Sequence, residues 1–260
     1  MPEIYDKIRP SYPPELFSVL FEILPIEPEV VEVGPGTGQA TKDLLARGAK
    51  VHAIELGTAM AAKLRSNLPS DRLRVTIADF ELLEIPPAMA DAVFSATAYH
   101  WISSAMQTDR PASILRSNGI IAIVDLIRVD SASDLGFFAA AQPLYAKHGQ
   151  GHAGPPAPVR SKVDPPIRTA FDADGRFANV STLHYDWDQT YSAADYRNLM
   201  LSYSTTQIMS TADRSALLDE VETFIHAHFD GQITRPIVVT LTTATLACLS
   251  SLMGSCSSPT

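Results

Sequence analysis

Glu32, Glu55 and Asp79 each stand at or just beyond the end of a short β-branched run, and a glycine turn accompanies the first. Glu32 opens the segment Glu32-Val33-Gly34-Pro35-Gly36-Thr37-Gly38. Glycines here permit a tight turn and let backbone amides come close to a ligand. The plainer reading is an ordinary strand-to-helix turn. A dinucleotide fingerprint would need glycine at 34, 36 and 39, and position 39 is Gln. The Gly-Lys-Ser/Thr of a phosphate loop is absent as well. A carboxylate two residues before Gly34 suits a cationic amino group better than a pyrophosphate. Glu55 comes 21 residues after Gly34 and can accept hydrogen bonds from both hydroxyls of a ribose. Asp79, beside Phe80, can accept a bond from an exocyclic amine. Together these acids describe a ligand with an ammonium, a ribose and an adenine, and no phosphate.

Such acids work together only if strands deliver them to one edge of a sheet. The expected strands are Val30–Val33, Lys50–Glu55, Leu73–Ala78, Ala90–Ser95 and Ile120–Asp125. The helices between them are expected at Gln39–Arg47, Thr58–Asn67 and around Arg110–Leu115. Strands alternating with helices imply a parallel sheet with right-handed crossovers. Ligands in such sheets bind beyond the carboxyl ends of the strands. Before the first strand, Pro10, Pro13 and Pro14 break the chain ahead of an apolar helix over Glu15–Leu24. Later, Phe137–Lys147 reads as one helix and 148–166 as a loop rich in Gly, Pro and Ala. Thr182–Asp188 reads as strand six, and Thr234–Thr245 contains strand seven. Helices Ser192–Tyr203 and Asp213–Phe229 lie between them, with Ser192/Asp195 and Thr211/Arg214 at their starts.

At this point the chain resembles the class I, seven-stranded S-adenosylmethionine-dependent methyltransferases. The residues that carry the likeness are E-V-G-P-G-T-G (Glu32–Gly38), A-I-E-L (Ala53–Leu56) and A-D-F (Ala78–Phe80). D-A-V-F-S-A-T-A-Y-H-W (Asp91–Trp101) and L-R-S-N-G-I-I-A-I (Leu115–Ile123) follow at the family's spacing. The N-terminal Tyr5…Arg9-Pro10-x-Tyr12-Pro13 and the His100-Trp101 pair resemble a small-molecule branch that includes trans-aconitate methyltransferase-like proteins. The resemblance implies an α/β fold: a doubly wound, mostly parallel seven-stranded sheet whose last strand is antiparallel and inserted between strands five and six. It implies S-adenosylmethionine as cofactor and S-adenosylhomocysteine as product. Glu32 and the backbone near Gly34 and Gly36 would hold the methionine moiety. Glu55 would take the ribose and Leu56 would pack on the adenine. Asp79 would bond the adenine amine with Phe80 beside it, and Ser95 would bring backbone near the sulfonium.

On the acceptor side, His100 can titrate near neutrality and is the candidate catalytic residue. It reads equally as a structural histidine packed on Trp101. Tyr5, Arg9, Tyr12, Tyr99 and Trp101 are candidates to line or cover the acceptor. Tyr145, Trp187 and Tyr203 can line an apolar pocket or pack in the core. The Asp/Asn-Pro-Pro-Tyr turn of nucleic-acid amino-methyltransferases is replaced by Ser95-Ala96-Thr97-Ala98. No paired acids for a metal follow strand five, so no catalytic metal is expected.

Composition bounds the rest. The chain has 260 residues, 46% of them hydrophobic, enough for a real core. Its formal charge of −9 argues against a general nucleic-acid binder. Two cysteines, Cys248 and Cys256, exclude a disulfide framework and suit a reducing cytoplasm. The start lacks a signal-peptide apolar region, and the uncharged stretch 236–260 is too rich in Ser and Thr to read as a membrane span. The expected organisation is one compact domain in four parts. These are an N-terminal lid and helix (1–29), the cofactor-binding core (30–127), an acceptor-side insert with the sixth strand (128–215), and the last helix, last strand and tail (216–260). The leading function is methylation of a small molecule at an oxygen or a carboxyl group. The alternatives are a non-catalytic S-adenosylmethionine-binding regulatory protein, another reaction class using the same cofactor, and methylation of protein or RNA.

Overall fold

The computed structural model describes residues 3, 6, 8, 11–151 and 156–248. Tyr5, Arg9 and Cys256 lie outside the described residues. Among the described residues nine strands occur in chain order. They are β1 (Glu29–Val33), β2 (Lys50–Glu55), β3 (Leu73–Ile77), β4 (Ala90–Ala96) and β5 (Leu115–Arg128). Then come β6 (Phe177–Asp186), β7 (Gln189–Ser192), β8 (Gln232–Arg235) and β9 (Ile237–Leu246).

Seven of these form one sheet in the order β3-β2-β1-β4-β5-β9-β6. β1 pairs in parallel with β2 and β4, β2 with β3, and β4 with β5. β9 sits between β5 and β6. β9 runs antiparallel to β6, because residue numbers fall along one as they rise along the other. Ala247 N–H bonds Arg176 O at 2.8 Å, and Thr182 Oγ1 meets Thr242 Oγ1 at 3.1 Å. β1 and β4 are buried almost throughout, as β-branched runs covered on both faces should be.

The described residues fall into two compact units. The first comprises those of Tyr12–Asp125, Asp164–Tyr185 and Thr240–Thr260. Its core includes Val31, Val33, Ile54, Val93, Ile121 and Phe171. The second comprises those of Met1–Ser11, Leu126–Val163 and Asp186–Val239. Its core is built around Phe137, whose ring meets Tyr196 and Phe229 edge-on, each with centroids 5.3 Å apart. Tyr145 lies in that core with its hydroxyl 3.1 Å from the Tyr196 hydroxyl. Among the described residues no helix is long and apolar enough to cross a membrane.

Several elements differ from the sequence reading, each for a local reason. β5 begins at Leu115, not at Ile120, because Asn118-Gly119 does not stop the strand. Asn118 takes a left-handed φ of 64°, and the register with β4 shifts between Ala90 and Ala92, the signature of a bulge. The helix read over Phe137–Lys147 is two, Phe137–Ala140 and Gln142–Lys147. Pro143 has no N–H to continue the first ladder. Pro236 likewise separates β8 from β9, which join different sheets. A helix at Pro166–Ala173 and the first half of β6 appear where no element is read from sequence. That helix buries only Ile167 and Phe171, too short a stripe to show a period.

The long helix Thr211–His228 is capped one residue before Thr211, which the sequence reading placed at its start. Its N-cap is Ser210, whose Oγ accepts from Asp213 N–H at 3.1 Å and donates to Asp213 Oδ2 at 2.7 Å. Ser210→Ala is expected to lower stability by about 1 kcal/mol. Thr211→Ala, at the neighbouring exposed position, should stay within about 0.5 kcal/mol of wild type. Urea midpoints at constant slope measure both, and equal losses for the two variants would contradict the assignment of Ser210 as the cap.

Candidate functional site at the carboxyl ends of the parallel strands

The turn after β1 is shaped by what cannot fit there. Gly34 has a left-handed φ of 66°, and its N–H bonds Ile54 O at 3.0 Å. A Cβ on Gly34 would lie 2.4 Å from the Cβ of Ala98, closer than real contacts allow. The turn after β1 and the turn after β4 therefore meet with only the Ala98 methyl between them. Gly38, at φ 104°, is crowded in the same way by the methyl groups of Leu64 and Leu68, each 2.8 Å from a hypothetical Cβ.

Two carboxylates bracket this turn. Glu32, on β1, is 1% exposed, and Thr41 Oγ1 donates to its Oε2 at 2.7 Å. Burial pushes its carboxyl up to about 8; the Thr41 bond opposes this, and the charge of Glu55 adds to it. Glu55, at the end of β2, accepts from Gly36 N–H at 3.0 Å with Oε2 and from Gly57 N–H at 2.8 Å with Oε1. One carboxylate thus holds the turns after β1 and β2 together. It keeps lone pairs free, because a carboxylate offers about four acceptor positions. Among the described residues no basic side chain pairs with Glu32 or Glu55.

Asp79 follows β3, is exposed, and accepts from Glu81 N–H at 2.8 Å with Oδ1. Ala78 N–H bonds Glu55 O at 3.2 Å, which links the ends of β2 and β3. Phe80 is a core ring with the Arg110 guanidinium 5.5 Å from its centroid, and Arg110 Nη2 also donates to Phe80 O at 3.0 Å. Leu56 is 72% exposed at the end of β2. Ser95 is buried, and its hydroxyl donates to Val33 O at 2.8 Å, pinning β4 to β1.

The turn after β4 carries the remaining candidates. Tyr99 is buried and its hydroxyl donates to Gln107 O at 2.7 Å, so the ring packs in the core. His100 is exposed and lies against the Trp101 ring, with centroids 5.1 Å apart; Trp101 is itself 72% exposed. Tyr12 is buried, with its hydroxyl 3.4 Å from Thr97 Oγ1. Thr97 has φ 57°, an uncommon conformation for a β-branched residue that costs on the order of 1–3 kcal/mol. Thr41 and Thr97 escape the sequence reading because nothing in their local sequence sets them apart. Asp125 escapes it too, although an acid closing the apolar run Ile120–Val124 repeats the pattern of Glu55 and Asp79.

The buried Glu32 makes stability depend on pH in a defined direction. Below the ordinary carboxylate range both folded and unfolded chains hold its proton. Between that range and about pH 8 the folded chain keeps a proton that the unfolded chain has lost. Stability from this group is therefore full at low pH and declines as pH rises to about 8, by on the order of 4 kcal/mol. Glu32→Gln should flatten that decline. Urea denaturation of both proteins between pH 5 and 8 measures it (approximate window from the shift), and parallel curves would show that Glu32 is not the source.

Comparison with known proteins agrees with this fold. Residues 31–123 match the family described as Methyltransferase domain. An uncharacterized methyltransferase of Mycobacterium tuberculosis is 27% identical over 248 residues, 94% of this chain and 93% of the relative. A Saccharomyces cerevisiae protein named as an S-adenosylmethionine-dependent methyltransferase is 30% identical over 154 residues, 56% of this chain and 50% of the relative. Among solved structures, a protein of Anaeromyxobacter dehalogenans assigned as a type II methyltransferase superposes with TM-score 0.60 at 22% identity, covering 91% of this chain and 96% of its own. Phosphoethanolamine N-methyltransferase 2 of Haemonchus contortus, in complex with S-adenosyl-L-methionine, gives 0.53 at 14% identity, covering 94% and 55%. The chain thus carries a methyltransferase domain on the class I α/β fold and is an S-adenosylmethionine-dependent methyltransferase.

Proposed function

We propose that the protein transfers a methyl group from S-adenosylmethionine to an oxygen of a small-molecule acceptor, leaving S-adenosylhomocysteine. The observation that carries this reading is the pair Glu32 and Glu55 around the glycine turn, one buried and proton-holding, the other tied to backbone amides. A ligand ammonium would supply the cation that neither acid has among the described residues. The glycines at 34 and 36 support the same ligand, since positions without side chains let backbone amides come close to it. The N-terminal and His100-Trp101 likeness to the trans-aconitate methyltransferase-like branch, together with the charge of −9, supports a small molecule over nucleic acid.

In this reading Glu32 gives up its proton and takes the ammonium of the methionine moiety. Gly34 and Gly36 let that moiety lie on the turn. Glu55 accepts the ribose hydroxyls with the lone pairs its amide bonds leave open. Asp79 accepts the adenine amine with the oxygen not used by Glu81, Phe80 packs beside the ring, and exposed Leu56 covers it. Ser95 fixes the β4 backbone beside the reacting sulfur. When bound, the cofactor supplies a methyl group on a positively charged sulfur, an already good leaving group. The chain's task is then mainly to position the acceptor, which can contribute on the order of 7–11 kcal/mol. His100 meets the acceptor, and Tyr12 and Trp101 flank it, with Tyr99 packing behind the turn.

Calorimetry with S-adenosylhomocysteine tests the cofactor half. Glu55→Ala should weaken binding by about one to two decades, from loss of charged hydrogen bonds worth roughly 1.5–3 kcal/mol. The variant should remain folded by circular dichroism. Unchanged affinity in a folded variant would remove Glu55 as the ribose ligand, and a wild-type protein that binds NAD but neither form of the cofactor would end the whole reading. Methyl-labelled cofactor with a metabolite extract tests the acceptor half, where label should appear in small molecules and not in protein or RNA.

A further inference from the structure

Toward its end β5 carries an acid, Asp125, that the cofactor reading does not use. Asp125 follows the buried run Ile120–Val124 and is itself half-buried. Among the described residues no hydrogen bond or ion pair engages its carboxylate. Burial raises its affinity for a proton, and the charge that acts on it in the opposite sense is that of His100. The backbone explains why the two are neighbours. Thr97 N–H bonds Val124 O at 2.8 Å, so the end of β5 lies beside the turn that carries His100 three residues on. That turn is held by the left-handed Thr97, by the Tyr12–Thr97 hydroxyl contact and by the close approach of Ala98 to Gly34. The His100 ring makes no hydrogen bond among the described residues; its contact is the face of Trp101. An imidazole and a carboxyl, both without partners, thus stand together at the edge where methyl transfer is placed.

We propose, on the basis of the methyl-transfer reading above, that Asp125 is the positioning residue for His100, and that the pair selects a hydroxyl compound as acceptor and rejects a carboxylate. A hydroxyl must lose a proton as it is methylated. One lone pair of its oxygen forms the bond to the methyl carbon. The methyl–sulfur bond breaks, and its electron pair stays on sulfur, which becomes neutral. The hydroxyl proton passes to a ring nitrogen of His100, and the imidazolium charge is balanced by the Asp125 carboxylate until the proton leaves to water. A carboxylate acceptor has no proton to give. It would also bring a second negative charge beside a half-buried acid, an unfavourable pairing.

Two measurements test this. The first needs no cofactor. Ring resonances of His100, followed by NMR from low to neutral pH, should show a step as Asp125 titrates above the ordinary carboxylate range, and Asp125→Asn should abolish it. Identical curves in both proteins would overturn the pairing. The second uses methyl-labelled S-adenosylmethionine and a metabolite extract, with the product treated with mild alkali and identified by mass spectrometry. A methyl ether that survives alkali is expected. Asp125→Asn should lower transfer about 10²-fold at unchanged S-adenosylhomocysteine affinity, and Asp125→Glu should restore part of it. Label released as methanol marks an ester, and an N-methyl product marks an amine; either overturns the acceptor class while leaving methyl transfer standing. Absence of any transfer by wild type would instead overturn the methyl-transfer reading, and this proposal with it.

Discussion

The space at Gly34 admits a hydrogen and nothing larger. Ala98 occupies the place where a side chain would go, so the turns after β1 and β4 touch backbone to methyl. That contact follows from the sheet order, which sets β1 and β4 side by side in parallel. It brings the acids associated with β1 and β2 and the aromatic turn after β4 to one edge. The cost is paid in conformation: left-handed φ at Gly34, Gly36 and Gly38, and at Thr97 a strained one that glycine does not relieve. Thr97 is kept there because its N–H is bonded to Val124 and its hydroxyl approaches Tyr12. A substitution that relaxed either turn would separate the two halves of the site before it unfolded the sheet.

Much of this arrangement was legible in the sequence. β2 and the helix Thr58–Asn67 fall on the expected residues because the first is a β-branched run behind Gly48 and the second lies between Gly57 and Pro69. The acids were legible because each closes or follows such a run. What was not legible depends on contacts distant in sequence or on competing local signals. Asn118-Gly119 signals a turn, but pairing with β4 overrides it and the left-handed residue becomes a bulge. β7 and β8 are four-residue strands whose pairing spans more than forty positions, beyond any local period. Thr41 completes the site only because its helix carries its hydroxyl back onto Glu32. Ser210 and Thr211 are both credible caps by type, and which one bonds Asp213 is decided by where the chain enters the helix.

The acids at the strand ends share a chemical type and differ in surroundings. Glu32 is sealed and given one hydroxyl, so its carboxyl resists ionisation until a cation arrives. Glu55 is given two backbone amides, which hold its charge in place and orient it. Asp79 is left in solvent with one amide. Asp125 is half-buried near an imidazole, and among the described residues nothing bonds its carboxylate. A sheet of this kind repeats one motif, a strand ending at the same edge, so the distinctions must come from the turns. Burial, amide donors and a neighbouring ring give one residue type four different surroundings, which under the proposed function suit a cation receptor, a clasp, a solvent-facing acceptor and a partner for histidine.

This division bears on how the site discriminates among ligands. A phosphate-bearing cofactor would meet Glu32 and Glu55 as like charges, and among the described residues no basic side chain is paired with either to soften that encounter. Under the proposed function, discrimination against dinucleotides would therefore not rest on Gln39 replacing a glycine alone. Unlike charge attracts at the same place. As a cation approaches Glu32, its field favours the ionised carboxylate, the proton departs, and the attraction grows as the ligand settles. A permanently charged Glu32 would attract from farther away but would strain the empty fold by burying a bare charge within the field of Glu55. If Glu32 takes the ligand ammonium as proposed, holding the proton until then lets one residue serve stability without ligand and affinity with it.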